Sequence, residues 1–138
     1  MPGPDFLDTN ILVYAYDSSD SQKRRIAQEL VLRALNGEMV ISAQVLAELA
    51  ATLLHKISPA AQPDEVNAII DALSPIKAIA PDVEIIRRAV HARAQYGVHF
   101  YDGMILAAAE RGGCCKIWSE DLNPGQLYFG IPVENPFS

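Results

Sequence analysis

The chain has 138 residues, half of them apolar and a fifth charged, a composition that excludes a disordered or collagen-like polymer. Eleven Lys and Arg against 17 Asp and Glu leave a net charge of −6, which argues against a protein that coats nucleic acid with a broad basic face. No apolar run approaches the ~20 residues of a membrane span, and Met1–Asp5 has no basic leader, so a cytoplasmic protein without membrane association is expected.

In chain order, Phe6-Leu7 reads as a short strand ending at Asp8. Ile11–Tyr16 fits a strand or a helix by pattern alone. Ser18–Ser21 is a break and a capping cluster, and the three- and four-residue spacing of Ile26, Leu30, Val31, Ala34 and Leu35 predicts a helix from Ser21 to Leu35. Met39–Ile41 is a second strand, and Ser42 caps a helix over Ala43–Ile57. After Pro59 and Pro63 a helix runs from Asp64 to Leu73. Ile76–Ala80, bounded by prolines, is a third strand. A helix over Asp82–Tyr96 is expected to bury Val83, Ile86, Ala89, Val90 and Ala94, and Gly97 ends it. Tyr101–Arg111 is a further helix, its first turn weakened by Gly103, and Cys114–Ser119 a fourth strand. Asn123–Gly125 is a turn, and Ile131-Pro132-Val133 fits an edge strand, where proline is tolerated.

Strands alternating with helices predict an α/β domain with a parallel sheet covered by helices. No repeat, low-complexity tract or linker divides the chain, so one domain over residues 1–138 is expected. The adjacent Cys114 and Cys115 cannot staple distant segments and are expected as two small buried residues of a strand.

The sequence lacks G-x-G-x-x-G, a phosphate-binding G-x-x-x-x-G-K-[ST], H-E-x-x-H and G-x-S-x-G, which removes the usual nucleotide-cofactor, zincin and serine-hydrolase chemistries. What remains is a pattern of acids. Asp8 and Asp121 follow predicted strands, and the carboxyl ends of parallel strands converge on one ligand-binding edge. Asp102 shares a helix stripe with Ile105, Leu106 and Ala109, so its carboxylate faces the protein and needs a positive partner. No Lys or Arg is near it in sequence, so a distant basic side chain or a divalent cation would meet that need. Each acid also suits a cap or turn, and Glu48 falls opposite its helix's apolar stripe, a position that reads as a solvated face. Spacing alone therefore extends to an acidic metal site as one of two readings.

Four blocks resemble PIN-domain ribonucleases, and in particular the VapC toxins of bacterial toxin–antitoxin pairs: Phe6-Leu7-Asp8-Thr9-Asn10-Ile11-Leu12-Val13-Tyr14-Ala15, Val45-Leu46-Ala47-Glu48-Leu49, Phe100-Tyr101-Asp102-Gly103-Met104-Ile105-Leu106-Ala107-Ala108-Ala109 and Trp118-Ser119-Glu120-Asp121-Leu122-Asn123. Asn135-Pro136-Phe137 is similar to the end of such chains. The resemblance spans nearly the whole chain in order. It implies a three-layer α/β/α fold around a mainly parallel sheet of four to five strands. It also implies an endoribonuclease dependent on Mg²⁺ or Mn²⁺, with products carrying a 5′-phosphate and a 3′-hydroxyl. By motif position the catalytic and metal-binding acids are Asp8, Glu48, Asp102 and Asp121, with Thr9, Asn10 and Ser119 supporting them. Asp8 and Asp102 are the first choice as direct ligands, and Asp121 is chosen over its neighbour Glu120.

The resemblance further implies an RNA substrate, a VapB-like antitoxin and a homodimer formed through apolar helix faces. Candidates to grip RNA are Lys23, Arg24, Arg25, Lys56, Arg87, Arg88 and Arg93, with His99 and Tyr101 beside the acids. The competing expectation is a non-catalytic α/β binding or receiver-like module, for which Asp5 and Asp8 are poorly spaced.

Overall fold

The computed structural model describes residues 3–138. Six strands form one sheet in the order β3-β2-β1-β4-β6-β5. Strand β1 (Asp5–Leu7) lies between β2 (Met39–Ser42) and β4 (Lys116–Trp118), parallel to both. Strand β3 (Lys77–Ile79) extends the sheet beyond β2, and β6 (Ile131–Glu134) extends it beyond β4, again in parallel. Only β5 (Leu127–Tyr128) is antiparallel, joined to β6 by a tight turn through Phe129 and Gly130. Helices α1 (Thr9–Tyr16), α2 (Ser21–Leu35), α3 (Ala43–His55), α4 (Pro63–Leu73), α5 (Val83–Tyr96) and α6 (Phe100–Arg111) complete a three-layer α/β/α arrangement.

The central strands read as continuous apolar runs because they are covered on both faces: Phe6, Leu7, Met39, Val40, Ile41, Ile117 and Trp118 are all buried. The ambiguous segment after Asp8 is helix α1. Asp8 provides its N-cap, accepting the Thr9 N–H at 2.7 Å, and its apolar residues Ile11, Leu12 and Ala15 recur at helical spacing. Ser42, Asp82 and His99 cap α3, α5 and α6 with their side chains.

The sheet has six strands rather than four or five. Strand β5 is only two residues long, too short to carry a period. It also places β6 inside the sheet rather than at the edge. Pro132 is accommodated because opposite Leu127 it falls in a non-hydrogen-bonded pair of the antiparallel ladder, while on the β4 side it precedes the paired register, which begins at Ile117 and Val133. Helix α5 buries Ile85, Ala89 and Ala92, whereas Val83, Ile86, Val90 and Ala94 face outward. Cys114 is buried, but Cys115 is exposed, and both precede β4. Its thiol contacts the Asp5 carboxylate.

Strand order reverses at β1. The chain adds β2 and β3 on one side and then crosses to β4 on the other. Such a switch point opens a crevice at the carboxyl ends of the two central strands, and those ends lead into Asp8 and Ser119.

Candidate active site

Asp8 sits at the mouth of this crevice with only 6% of its surface exposed. One carboxylate oxygen, Oδ1, accepts the Thr9 N–H, and the other accepts the Ser119 hydroxyl at 2.8 Å. Burial pushes its pKa from 3.8 to about 6; the Ser119 and Thr9 hydrogen bonds pull it down, and the negative charges of Asp102 and Asp121 push it up. Asp102, in the first turn of α6, is half-buried, and its pKa is raised by burial and by the charge of Asp121, against a lowering by His99. Asp8, Asp102 and Asp121 thus feel one another although they come from three separated segments. Asp121 is exposed and lines a cavity of about 490 Å³ together with Thr9, Asn10 and Glu48.

Ser119, fully buried, organises the β4 end. Its hydroxyl oxygen accepts the N–H groups of Asp121 and Leu122 while its proton goes to Asp8. Glu48 is exposed on α3, as periodicity predicts, yet it faces the cavity. It accepts the Thr9 hydroxyl at 3.1 Å and the Gln44 amide at 3.3 Å. Asn10 accepts the Glu120 N–H through Oδ1, and its Nδ2 is buried without a hydrogen-bond partner.

Glu120 is committed elsewhere. It accepts the Tyr14 hydroxyl at 2.7 Å and the Lys23 ammonium at 2.6 Å. Burial alone raises its pKa, but the Lys23 and Tyr14 hydrogen bonds outweigh this and hold it below the usual carboxylate range. Sequence reading missed this trio, because its members lie 97 and 106 residues from Glu120 and no local pattern links them. Lys23 is consequently not a free RNA contact, and Arg88 is likewise occupied by Glu110 through two hydrogen bonds. Asp5 lies at the opposite end of β1 from Asp8, where it accepts the Trp118 indole N–H. Asp5 and Asp8 therefore do not form the acidic pair a receiver-like module needs.

All four acids are hard oxygen donors, the set that suits Mg²⁺ or Mn²⁺. Among the described residues, no three His, Cys, Asp or Glu side chains are grouped to hold one ion as they stand. Both Asp8 oxygens are turned to Thr9 and Ser119. The donor chemistry nevertheless fits a dication: a buried carboxylate pushed up to about 6 beside two further acids is relieved by positive charge.

The PIN domain family model matches residues 6–129. No curated protein matches the sequence. Among solved structures, DNA-bound VapBC from Salmonella typhimurium aligns with a TM-score of 0.69 at 22% identity, covering 99% of each chain. A toxin–antitoxin complex from Klebsiella pneumoniae aligns with a TM-score of 0.67 at 24% identity, covering 96% of this chain and 97% of that one. Mycobacterium tuberculosis VapC20, described as a Sarcin-Ricin loop cleaving toxin, aligns with a TM-score of 0.64 at 15% identity, covering 85% and 91%.

Proposed function

The chain belongs to the PIN-domain family, and from that premise we propose that it is a metal-dependent endoribonuclease acting as the toxin of a VapBC-type pair, with residues 1–138 forming one domain. The observation that carries this reading is the convergence of Asp8, Asp102 and Asp121 at the β1–β4 switch point, where the charges of Asp102 and Asp121 raise the proton affinity of the buried Asp8 and the charge of Asp121 raises that of Asp102. Asp8 and Asp102 would hold a Mg²⁺ or Mn²⁺ ion, and Asp121 and Glu48 would hold its waters. When bound, such an ion neutralises charge at the scissile phosphate and makes a water nucleophilic near neutral pH.

The chain's own residues prepare the site. Ser119 and Thr9 orient the Asp8 carboxylate, and Ser119 also fixes the backbone at Asp121. Thr9 and Gln44 orient Glu48. Lys23 and Tyr14 draw Glu120 away, leaving Asp121 as the acid of that pair available to the crevice. Cleavage leaves a 5′-phosphate and a 3′-hydroxyl.

The partner is a VapB-like antitoxin, supported by the toxin–antitoxin complexes among the structural neighbours. A homodimer is supported by the outward apolar residues Val83, Ile86 and Val90 of α5. Among the described residues no helix is long and apolar enough to cross a membrane, and the proposed place of action is the cytoplasm.

The test is cleavage of cellular RNA with end-mapping, comparing wild type with Asp102→Asn. Wild type should cut in Mg²⁺ or Mn²⁺ and stop with chelator, and Asp102→Asn should lose activity by orders of magnitude while remaining folded. Metal-independent cutting, or an Asp102→Asn protein as active as wild type, sinks the assignment.

A further inference from the structure

The last residues of the chain reach the same rim as the acids. Strand β6 runs parallel to β4, with Val133 beside Ile117 and Glu134 beside Trp118, and the Ser119 N–H donates to the Glu134 carbonyl at 3.1 Å. Residues 135–138 therefore leave β6 on the side of the sheet where Glu120 and Asp121 leave β4. Asn135 then turns the chain, its Oδ1 accepting the Phe137 N–H at 2.9 Å. This sets Phe137 half-buried against α1, its ring edge-on to Tyr14 with the centroids 4.9 Å apart.

Lys23 completes this corner. Its Nζ lies 4.7 Å from the centre of the Tyr14 ring and 5.3 Å from that of Phe137, both within the about 6 Å over which a ring face attracts a cation. The same ammonium donates to Glu120 at 2.6 Å and to the Tyr14 hydroxyl at 3.3 Å. A lysine on a flexible stem holds an exposed carboxylate only weakly. Here the two rings wall the ammonium, the side chains of Lys23 and Glu120 are 31% and 25% exposed, and a pair withdrawn from water attracts more strongly. Phe137 has no charge and no hydrogen-bonding side chain, so what it supplies is the place of the ammonium. Glu120 is bonded to Asp121 and is tied at its N–H to Asn10 and at its carboxylate to Lys23 and Tyr14. Of these ties, the one to Lys23 is what joins the segment after β4 to α2.

We infer that Phe137 is a positioning residue for Asp121: its ring keeps the Lys23 ammonium on Glu120, and that pair anchors the segment that offers Asp121 to the crevice. The inference rests on the dication site of the nuclease reading and deepens it. The relay acts by position rather than charge. It makes the end of the chain a support of the site, at one remove from substrate and ion.

The experiment measures Mn²⁺ binding by calorimetry, without RNA, on the full chain. It compares wild type, Phe137→Leu and Phe137→Tyr, each with Lys23 present and in a Lys23→Met background. Leucine keeps an apolar side chain and removes the ring face, and melting curves identify the folded variants; Phe137→Met takes its place if Phe137→Leu does not fold. Phe137→Leu is expected to raise the Mn²⁺ Kd severalfold, and Phe137→Tyr to hold it at the wild-type value. In the Lys23→Met background Phe137→Leu should shift Kd no further, because the ring has no cation left to place. An unchanged or lower Kd, or the same rise with and without Lys23, overturns the inference. A wild type that binds Mn²⁺ with this dependence on Phe137 but cuts no RNA sinks the nuclease reading and leaves the relay in place. A wild type that cuts, with Phe137→Leu indistinguishable from it in Mn²⁺ binding, sinks the relay alone. A wild type that binds no Mn²⁺ sinks both.

Discussion

Asp8 carries opposing demands. As N-cap it benefits from the positive end of α1, yet burial makes its charge costly. An acid whose folded-state pKa is raised binds its proton more tightly folded than unfolded. Its contribution to stability is therefore full below pH 3.8 and is lost as pH rises toward 6. The rise from 3.8 to about 6 corresponds to about 3 kcal/mol carried by the metal-free protein above that window. Asp8→Asn keeps the capping oxygen and removes the charge. Thermal melts without metal should show it more stable than wild type at pH 7.5 and level with it near pH 4; equal melting points at both pH values contradict the buried-charge account. The neighbouring acids separate in the same way. Glu120→Gln should leave the Mg²⁺ dependence of cleavage near wild type, because Lys23 already balances that carboxylate, whereas Asp121→Asn should shift the Mg²⁺ titration to higher concentration. A titration that moves with Glu120 and not with Asp121 reverses the assignment.

Among the elements, α5 and α6 approach closely at Gly103. A Cβ there would come 2.7 Å from the Ala89 carbonyl oxygen, a backbone atom of α5 that has no rotamer with which to retreat. The glycine that weakens the first turn of α6 is therefore what lets the helices approach, and it sits beside Asp102. Gly103→Ala should cost about 1–3 kcal/mol through overpacking and lower kcat by displacing Asp102. Urea denaturation and single-turnover cleavage measure the two effects, and an unaltered midpoint shows that the contact yields. Elements were legible where length gave a period. Helices α2, α3 and α6 follow from their stripes, whereas the pattern of α1 fits a strand or a helix and its Asp8 cap decides between them, and the two residues of β5 carry no period at all. Helix α5 has two apolar stripes. Periodicity finds both and does not say which one meets the sheet, so Val83, Ile86 and Val90 were expected inside and lie outside.

At the scale of the whole molecule, folding collects negative charge at one crevice, and a ligand that neutralises it must stabilise the fold. Mg²⁺ or Mn²⁺ at a hundred times its dissociation constant should add about 2.7 kcal/mol. A rise in Tm that chelator reverses and Asp8→Asn blunts is the expected signature; identical melting with and without metal counts against a dication site. The sequence by itself determined the α/β class, the end of β1 at Asp8 and the inward stripe of Asp102, because those follow from apolar runs and their spacing along a single stretch of chain. Only the fold decides that Asp102 and Asp121 act on Asp8, that Glu120 is spent on Lys23 and Tyr14, and that Glu48 is both solvent-exposed and turned to the cavity. The physical reason is range. Periodicity orients a side chain relative to its own element, whereas charge and hydrogen bonding act across whatever distance the fold closes.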